Sequence, residues 1–392
     1  MESFLFADDG ATVPQQPVEY VERKGLGHPD SICDSIMQTA AESLRQEYRS
    51  RCGHILHHNL DKALLVAGQS EPAIGGGRMV SPIQIIAGDR AMTSLGDVKI
   101  PVAEIVESAV SEWIDGHLRF VDSTQHIDFR SEIKPGSMEL REIFDRSTPV
   151  ANDTSAAVGF APLSETEQVV LDTERYINGD QFKQLFPVAG EDVKIMAARH
   201  FDQIHLTIAI AMVDRFVSSE SDYFEQKEAI RADIESYVGG RSGKLALAAI
   251  DVNTLDDPQR GQAGMYLTVL GTSAESGDGG EVGRGNAVNG LISLNRPTSN
   301  EAAAGKNTTC HVGNIYNHLS YRIADQIVTQ IEPVQESYVW LCSQIGRPVD
   351  DPWSAAVRVS LADGVDVDDV RDDVDSILQR ELKARLSIAN PP

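Results

Sequence analysis

Between Glu22 and Ser31 the chain reads Glu-Arg-Lys-Gly-Leu-Gly-His-Pro-Asp-Ser, two glycines ahead of a histidine, a proline and an aspartate. Proline suits the first position of a helix, where its missing N–H costs nothing, and an acid in the first turn complements the helix dipole. The free N–H groups at such a start suit a phosphate. Asp30 could hold a hard cation such as Mg²⁺ beside it, and His28 could donate to a phosphate or leaving oxygen. A plain glycine turn, with Asp30 serving the dipole alone, fits the same residues. A second stretch, Ser276 to Asn286, carries five glycines around Asp278 and Arg284. Glycine lets the backbone approach a ligand closely, and an arginine there can grip phosphate oxygens with a planar fork. The alternative is a flexible surface hairpin. After Gly283 and Gly285 the next glycine is Gly290, so the stretch is not a dinucleotide fingerprint.

Glu301 to Asn307 ends in Gly305-Lys306-Asn307 and lacks both the earlier glycine and the following Ser or Thr of a P-loop. Gly239 to Leu245 fails in the same way. Lys306 lies near Arg284 and His311 in sequence, although a solvated lysine is the default for any single Lys. Asn152-Asp153-Thr154-Ser155 reads as a turn or a ligand loop. His57-His58-Asn59-Leu60-Asp61-Lys62 invites a metal, yet no neighbouring His, Cys or carboxylate set completes a zinc site. Lys134-Pro135-Gly136-Ser137-Met138-Glu139 fits a plain turn. There is no G-x-S-x-G elbow, and no cysteine sits in a nucleophile context.

Helical stripes must carry these segments. Ile32, Ile36, Ala40 and Leu44 recur every four residues, which predicts a one-sided helix from Pro29 to Tyr48. Further stripes run from Val102 to Trp113, from Leu319 to Ile331 and from Val367 to Leu378. The acidic run Asp366 to Asp375 reads as the solvated face of the last. Strands are expected at Ala63–Ala67, Ile83–Ala87, His205–Val213, Leu245–Val252 and Tyr266–Leu270. The elements interleave without the strict rhythm of a doubly wound sheet, so the fold class is α+β, sheets with helices on one face.

Composition narrows the function. The 392 residues carry 34 Lys+Arg against 59 Asp+Glu, a formal charge of −25, so nonspecific binding to nucleic acid or acidic membranes is not expected. An anionic ligand requires the few cations to be concentrated in one place. Hydrophobic content of 41% excludes a disordered chain. At about 150 residues per domain, two or three domains are expected. Cys33, Cys52, Cys310 and Cys342 form no C-x-x-C pair, which points to a reducing compartment. Phe4-Leu5-Phe6 runs into Asp8-Asp9, unlike a signal peptide, and the longest apolar run, Ile204 to Val213, is far short of the roughly 20 residues of a membrane span. A soluble, cytoplasmic protein is expected.

Three segments taken together, Glu22 to Asp34, Asn152 to Glu167 and Gly283 to Tyr316, resemble the S-adenosylmethionine synthetases, and among them the archaeal-type branch. The likeness runs from about residue 18 past residue 330. It implies three similar α+β domains about a pseudo-threefold axis, with approximate boundaries 1–125, 126–255 and 256–392. It also implies ATP and L-methionine as substrates, Mg²⁺ and K⁺ as cofactors, and a homodimer, or a tetramer of paired dimers, with active sites at the interface. The expected reaction is displacement of tripolyphosphate from ATP by the methionine sulfur, then hydrolysis to phosphate and diphosphate. By the same resemblance His28 and Asp30 match the phosphate-side histidine and the magnesium aspartate. Lys194, Arg284 and Lys306 match triphosphate cations, and Asp61, Asp153 and Asp278 fall on the methionine side. Asp278 also neighbours adenosine, and Lys134 to Glu139 falls at a nucleotide-contacting turn.

Some positions depart from the branch. Lys134-Pro135 replaces Gly-Gln, Met138-Glu139 replaces Val-Asp, and Thr308-Thr309-Cys310 and Asn314 replace a Pro-and-small-residue run and a lysine. These positions leave room for a related adenosyltransferase with another sulfur nucleophile or a modified nucleotide. A nucleotide-binding paralogue without turnover would instead be expected to lose the phosphate ligands. The chemistry agrees with the resemblance: a neutral thioether needs no general base, so alignment and charge stabilisation of the leaving polyanion must supply the rate.

Overall fold

The computed structural model describes residues 1–136 and 149–384. Three main sheets organise it. In the first, the order is Glu2–Ala7, Ser354–Leu361, Val334–Cys342 and Ala156–Ala161. In the second it is Ile127–Ser131, Ile83–Ala87, Ala63–Val66 and Gly280–Glu281. The third runs Ala246–Val252, Gln203–Val213, Ala189–His200, Val18–Lys24 and Ile292–Ser293, with Leu267–Thr268 added beside Gln203–Val213.

Each sheet buries one face under helices. Val312–Gln330 and Val367–Ala384 share a core with the first sheet, and Pro29–Cys52 and Val102–His117 with the second. Glu165–Ile177 and Glu220–Gly239 share one with the third. The cores interleave in sequence: Val269 and Leu270 pack with the residues of the second sheet, and Val21 with those of the third. The chain is α+β, as its patterning requires.

The first helix shows how local chemistry builds the site. His28 caps it by accepting a hydrogen bond from the Asp30 amide, Pro29 opens it, and Gly53 ends it in the left-handed region at φ 79°. Ile32, Ile36, Ala40 and Leu44 are its buried stripe. It continues to Cys52, past the expected Tyr48, because Arg49 and Arg51 suit the last turn before that glycine. The expected strand Tyr266–Leu270 is shorter, Leu267–Thr268, since Leu270 and Val269 give their amides to the buried carboxylate of Glu275 instead. The strand Ala189–His200 has no counterpart in the sequence reading. Glu191, Asp192 and Lys194 break its apolar pattern, and they do so beside the site.

A buried ionic network ties the first sheet to the third. The Arg296 guanidinium lies 2.9 Å from Glu167, 2.7 Å from Glu336 and 2.9 Å from the Tyr338 hydroxyl, with its side chain 0% exposed. Nearby, Glu19 holds Arg199 at 3.0 Å and accepts from the Ser164 hydroxyl at 2.6 Å. All four cysteines are free thiols, and no described helix is long and apolar enough to cross a membrane.

Candidate active site

The turn after the strand Val18–Lys24 is pressed against Ala189–His200. The Gly25 amide donates to the Val193 carbonyl at 2.6 Å and the Gly27 amide to that of Glu191 at 2.9 Å. A Cβ on Gly27 would fall 2.5 Å from the Asp192 nitrogen, so only glycine permits this approach. The second glycine stretch closes on the same helix start. The Glu281 amide donates to Asp30 Oδ1 at 3.0 Å and the Gly283 amide to Asp34 Oδ1 at 2.7 Å.

Between them opens a cavity of about 420 Å³, lined by Lys24, His28, Asp30, Lys194, Asp278 and Arg284 among others. Five of the residues singled out in the sequence are therefore neighbours although up to 256 positions separate them, from His28 to Arg284. Lys24 and Asp192 are additions that motif reading missed. Lys24 stood inside the first motif without a role, and Asp192, whose charge acts on His28, belongs to no motif.

Burial holds the His28 pKa below its ordinary value, against the opposing charges of Asp192 and Asp30. Its Nδ1 accepts from the Asp30 amide at 3.2 Å, so the neutral ring carries its proton on Nε2 and offers it as a donor. Asp192 is pushed up by burial, although it accepts from the Ser273 amide at 2.8 Å and hydroxyl at 2.5 Å. Burial raises Asp34 to about 6. Asp30 is buried, with one carboxylate oxygen on the Glu281 amide and the other 2.9 Å from Lys24 Nζ. Among the described residues no three His, Cys, Asp or Glu side chains gather into a metal cage. The Asp30 carboxylate alone, on the cavity wall, is a hard oxygen donor of the kind Mg²⁺ takes singly while substrate phosphates and water complete its shell.

Lys306 does not line this cavity. It is 2% exposed, with Nζ 2.7 Å from Asp61 and 2.5 Å from Glu301. Asn59 joins Asp61 at 2.8 Å to Asp89 at 2.9 Å. The Asp153 loop borders this second cluster: Ser155 Oγ lies 3.4 Å from Glu301, while Asp153 itself accepts from the Thr154 amide at 2.7 Å. Lys134 pairs with Glu132 at 3.0 Å and its amide donates to the Asp89 carbonyl at 2.8 Å. Pro135 follows it, and Gly136 lies against the His57 ring. Ser137, Met138 and Glu139 lie outside the described residues. His58 is a core histidine, its ring 2.9 Å from the Leu56 carbonyl and its pKa lowered to about 4 by burial.

The Asp61 and Asp89 carboxyls titrate in opposite directions. Burial would raise Asp61, yet its hydrogen bonds with Asp89 and Lys306 hold it below the usual carboxylate range. Burial, then the hydrogen bond and charge of Asp61, raise Asp89 to about 7. A raised pKa stabilises the folded state fully below the unfolded value near 4, and that contribution is lost as pH climbs through 7. Asp89→Asn imitates the protonated form, so its stability relative to the native protein should be higher at pH 8 than at pH 5. Urea unfolding at the two pH values checks this, and an identical difference at both would contradict it.

Comparison with known proteins identifies the fold and the family. A solved structure described as an unusual S-adenosylmethionine synthetase from Campylobacter jejuni has the same fold, with TM-score 0.63 over 96% of this chain and 91% of that one at 15% identity. The sequence profile of the S-adenosylmethionine synthetase (AdoMet synthetase) family matches residues 7–390. An S-adenosylmethionine synthase of Pyrococcus abyssi is 46% identical over 374 residues, 94% of this chain and 92% of that protein. A probable S-adenosylmethionine synthase of Aquifex aeolicus is 43% identical over 376 residues, 95% of this chain and 92% of its own. The fold is thus that of an α+β protein in which several cationic side chains gather around one cavity. The chain belongs to the S-adenosylmethionine synthetase family.

Proposed function

We propose that the protein makes S-adenosylmethionine from ATP and L-methionine. One observation carries the reading: in a chain of charge −25, His28, Lys194 and Arg284 converge from three distant segments on one cavity, beside Asp30. The methionine sulfur gives its lone pair to ribose C5′, the C5′–O bond breaks, and its electrons leave with tripolyphosphate. Tripolyphosphate is then hydrolysed to phosphate and diphosphate. Sulfur needs no proton removed, so the chain has to align the reactants and meet charge that grows on the leaving oxygens. Arg284 and Lys194 supply that charge, and His28 donates through Nε2. Asp278, Asp61 and Asp153 are the carboxylates for the sulfonium side.

Asp30 would hold Mg²⁺, which when bound neutralises and orients the phosphates; K⁺ is the expected monovalent cofactor. We read the three cores as three related domains, and the active unit as a homodimer with its sites at the interface. Leu64 and Val66, each 41% exposed on the sheet beside the cavity, support that reading, as does the separation of the Lys306 cluster from the cavity within one protomer.

The test is incubation with ATP, Mg²⁺, K⁺ and a panel of thioethers, following nucleoside products by mass. Methionine should give the dominant adenosyl sulfonium product. Turnover with another thioether but not with methionine would replace this reading by that of a related adenosyltransferase.

A further inference from the structure

The cavity contains one cation to which the mechanism above assigns no task. Lys24 ends the strand Val18–Lys24, and Lys194 stands directly opposite it on the neighbouring strand. Both line the cavity. Like charges facing each other across antiparallel strands destabilise the pair. A chain with 59 acidic residues against 34 basic ones nevertheless places two of its lysines there. Each has one carboxylate beside it, Asp30 at 2.9 Å from Lys24 and Glu22 at 3.4 Å from Lys194, and a polyanion in the cavity would meet the positive charge that the pair still presents.

Lys24 is also held in place. Its amide donates to Asn286 Oδ1 at 3.0 Å, and its carbonyl accepts from Asn286 Nδ2 at 2.7 Å and from the Ser31 hydroxyl at 3.2 Å. Its side chain is 12% exposed, with Nζ 2.9 Å from Asp30 Oδ2 and 2.6 Å from the Arg284 carbonyl. An ammonium has three donors, so one remains for a further partner. The group therefore lies between the proposed metal carboxylate and the loop that presents Arg284.

We infer that Lys24 is a further catalytic residue: with triphosphate in the cavity its ammonium donates to phosphate oxygens and meets the charge of the departing chain. This inference rests on the proposed S-adenosylmethionine synthesis. The competing account is that Lys24 serves only to hold Asp30, and the two accounts part company when no divalent ion is present.

Binding of inorganic tripolyphosphate, by calorimetry in EDTA and again in Mg²⁺, separates them. Lys24→Met should bind tripolyphosphate about tenfold more weakly in both buffers, the loss of one charge-assisted hydrogen bond. Its kcat should fall about a hundredfold while KM for methionine stays within about threefold. Lys24→Arg keeps the charge and should retain most of the affinity. Lys24→Gln, which keeps a polar group on Asp30, should lose affinity as Lys24→Met does, and it decides the matter should Lys24→Met fail to fold by circular dichroism. Native affinity in EDTA for the uncharged variant overturns the inference even where kcat falls, because the loss then runs through Asp30. A native protein that forms no adenosyl sulfonium and binds no tripolyphosphate defeats the parent reading instead.

Discussion

Arg284→Ala should lower kcat by about 10²–10³ while leaving KM for methionine within a few-fold, the effect of removing one preorganised donor from a developing anion. Arg284 is exposed on the cavity wall, and among the described residues no carboxylate pairs with its guanidinium. The neighbouring lysines differ: Lys24 rests on Asp30 at 2.9 Å and Lys194 lies 3.4 Å from Glu22. An unpaired guanidinium on a glycine-rich loop is free to follow charge as it moves from the ribose oxygen onto the leaving chain. Its contribution is therefore greatest in the transition state, which is why the rate suffers and ground-state binding of methionine does not. The loop itself is anchored by Glu281 and Gly283 amides on Asp30 and Asp34, so the truncation should leave the fold intact. Steady-state kinetics with saturating ATP provide the check. A turnover number within threefold of native would remove Arg284 from the mechanism.

The second large effect concerns stability. Arg296→Met removes the cation that two buried carboxylates, Glu167 and Glu336, share at 2.9 and 2.7 Å. Breaking a buried ion pair from one side costs about 3–5 kcal/mol, because the remaining charge stays out of water without an opposite charge. Two carboxylates lose their cation here and keep only neutral donors, the Ser164 amide on Glu167 and the Val13 amide and Tyr338 hydroxyl on Glu336, and the Phe160 and Tyr338 rings that flank the guanidinium lose it as well. Denaturant unfolding should show that loss. The triple variant Arg296→Met with Glu167→Gln and Glu336→Gln should recover most of it, since no uncompensated charge is left. A single-variant loss under about 1 kcal/mol would mean that the neutral donors already on Glu167 and Glu336, or proton uptake by the acids, compensate for the lost cation.

Helix and strand patterning was legible in part: the stripes of Pro29–Cys52, Val102–His117, Val312–Gln330 and Val367–Ala384 stood out, whereas the helix Glu165–Ile177 and the strands Val334–Cys342 and Ser354–Leu361 did not, although each buries an apolar face. Ile32 to Leu44 read as a stripe because a 3.6-residue period repeats along a helix with one buried side. Ala189–His200 did not read as a strand, because Glu191, paired with Arg119, Asp192, bonded to Ser273, and Lys194, on the cavity wall, interrupt the alternation that marks a half-buried strand. The second helix of the third sheet, Glu220–Gly239, was also missed. Only Tyr223, Ile230, Ile234 and Val238 are its buried residues, too sparse a stripe to stand out in a charged segment.

The site divides in the same way. Residue types and local order already announced a helix start suited to phosphate and a glycine loop with an arginine, because turns, caps and close backbone approach leave their mark on adjacent positions. Long-range placement leaves no such mark. That the amide of Glu281 would rest on Asp30, that Lys24 would face Lys194, and that Lys306 would instead bury itself between Asp61 and Glu301 depends on how three sheets pack. Those contacts join residues up to 251 positions apart, and a free energy summed over many weak burial terms, not any local rule, selects them.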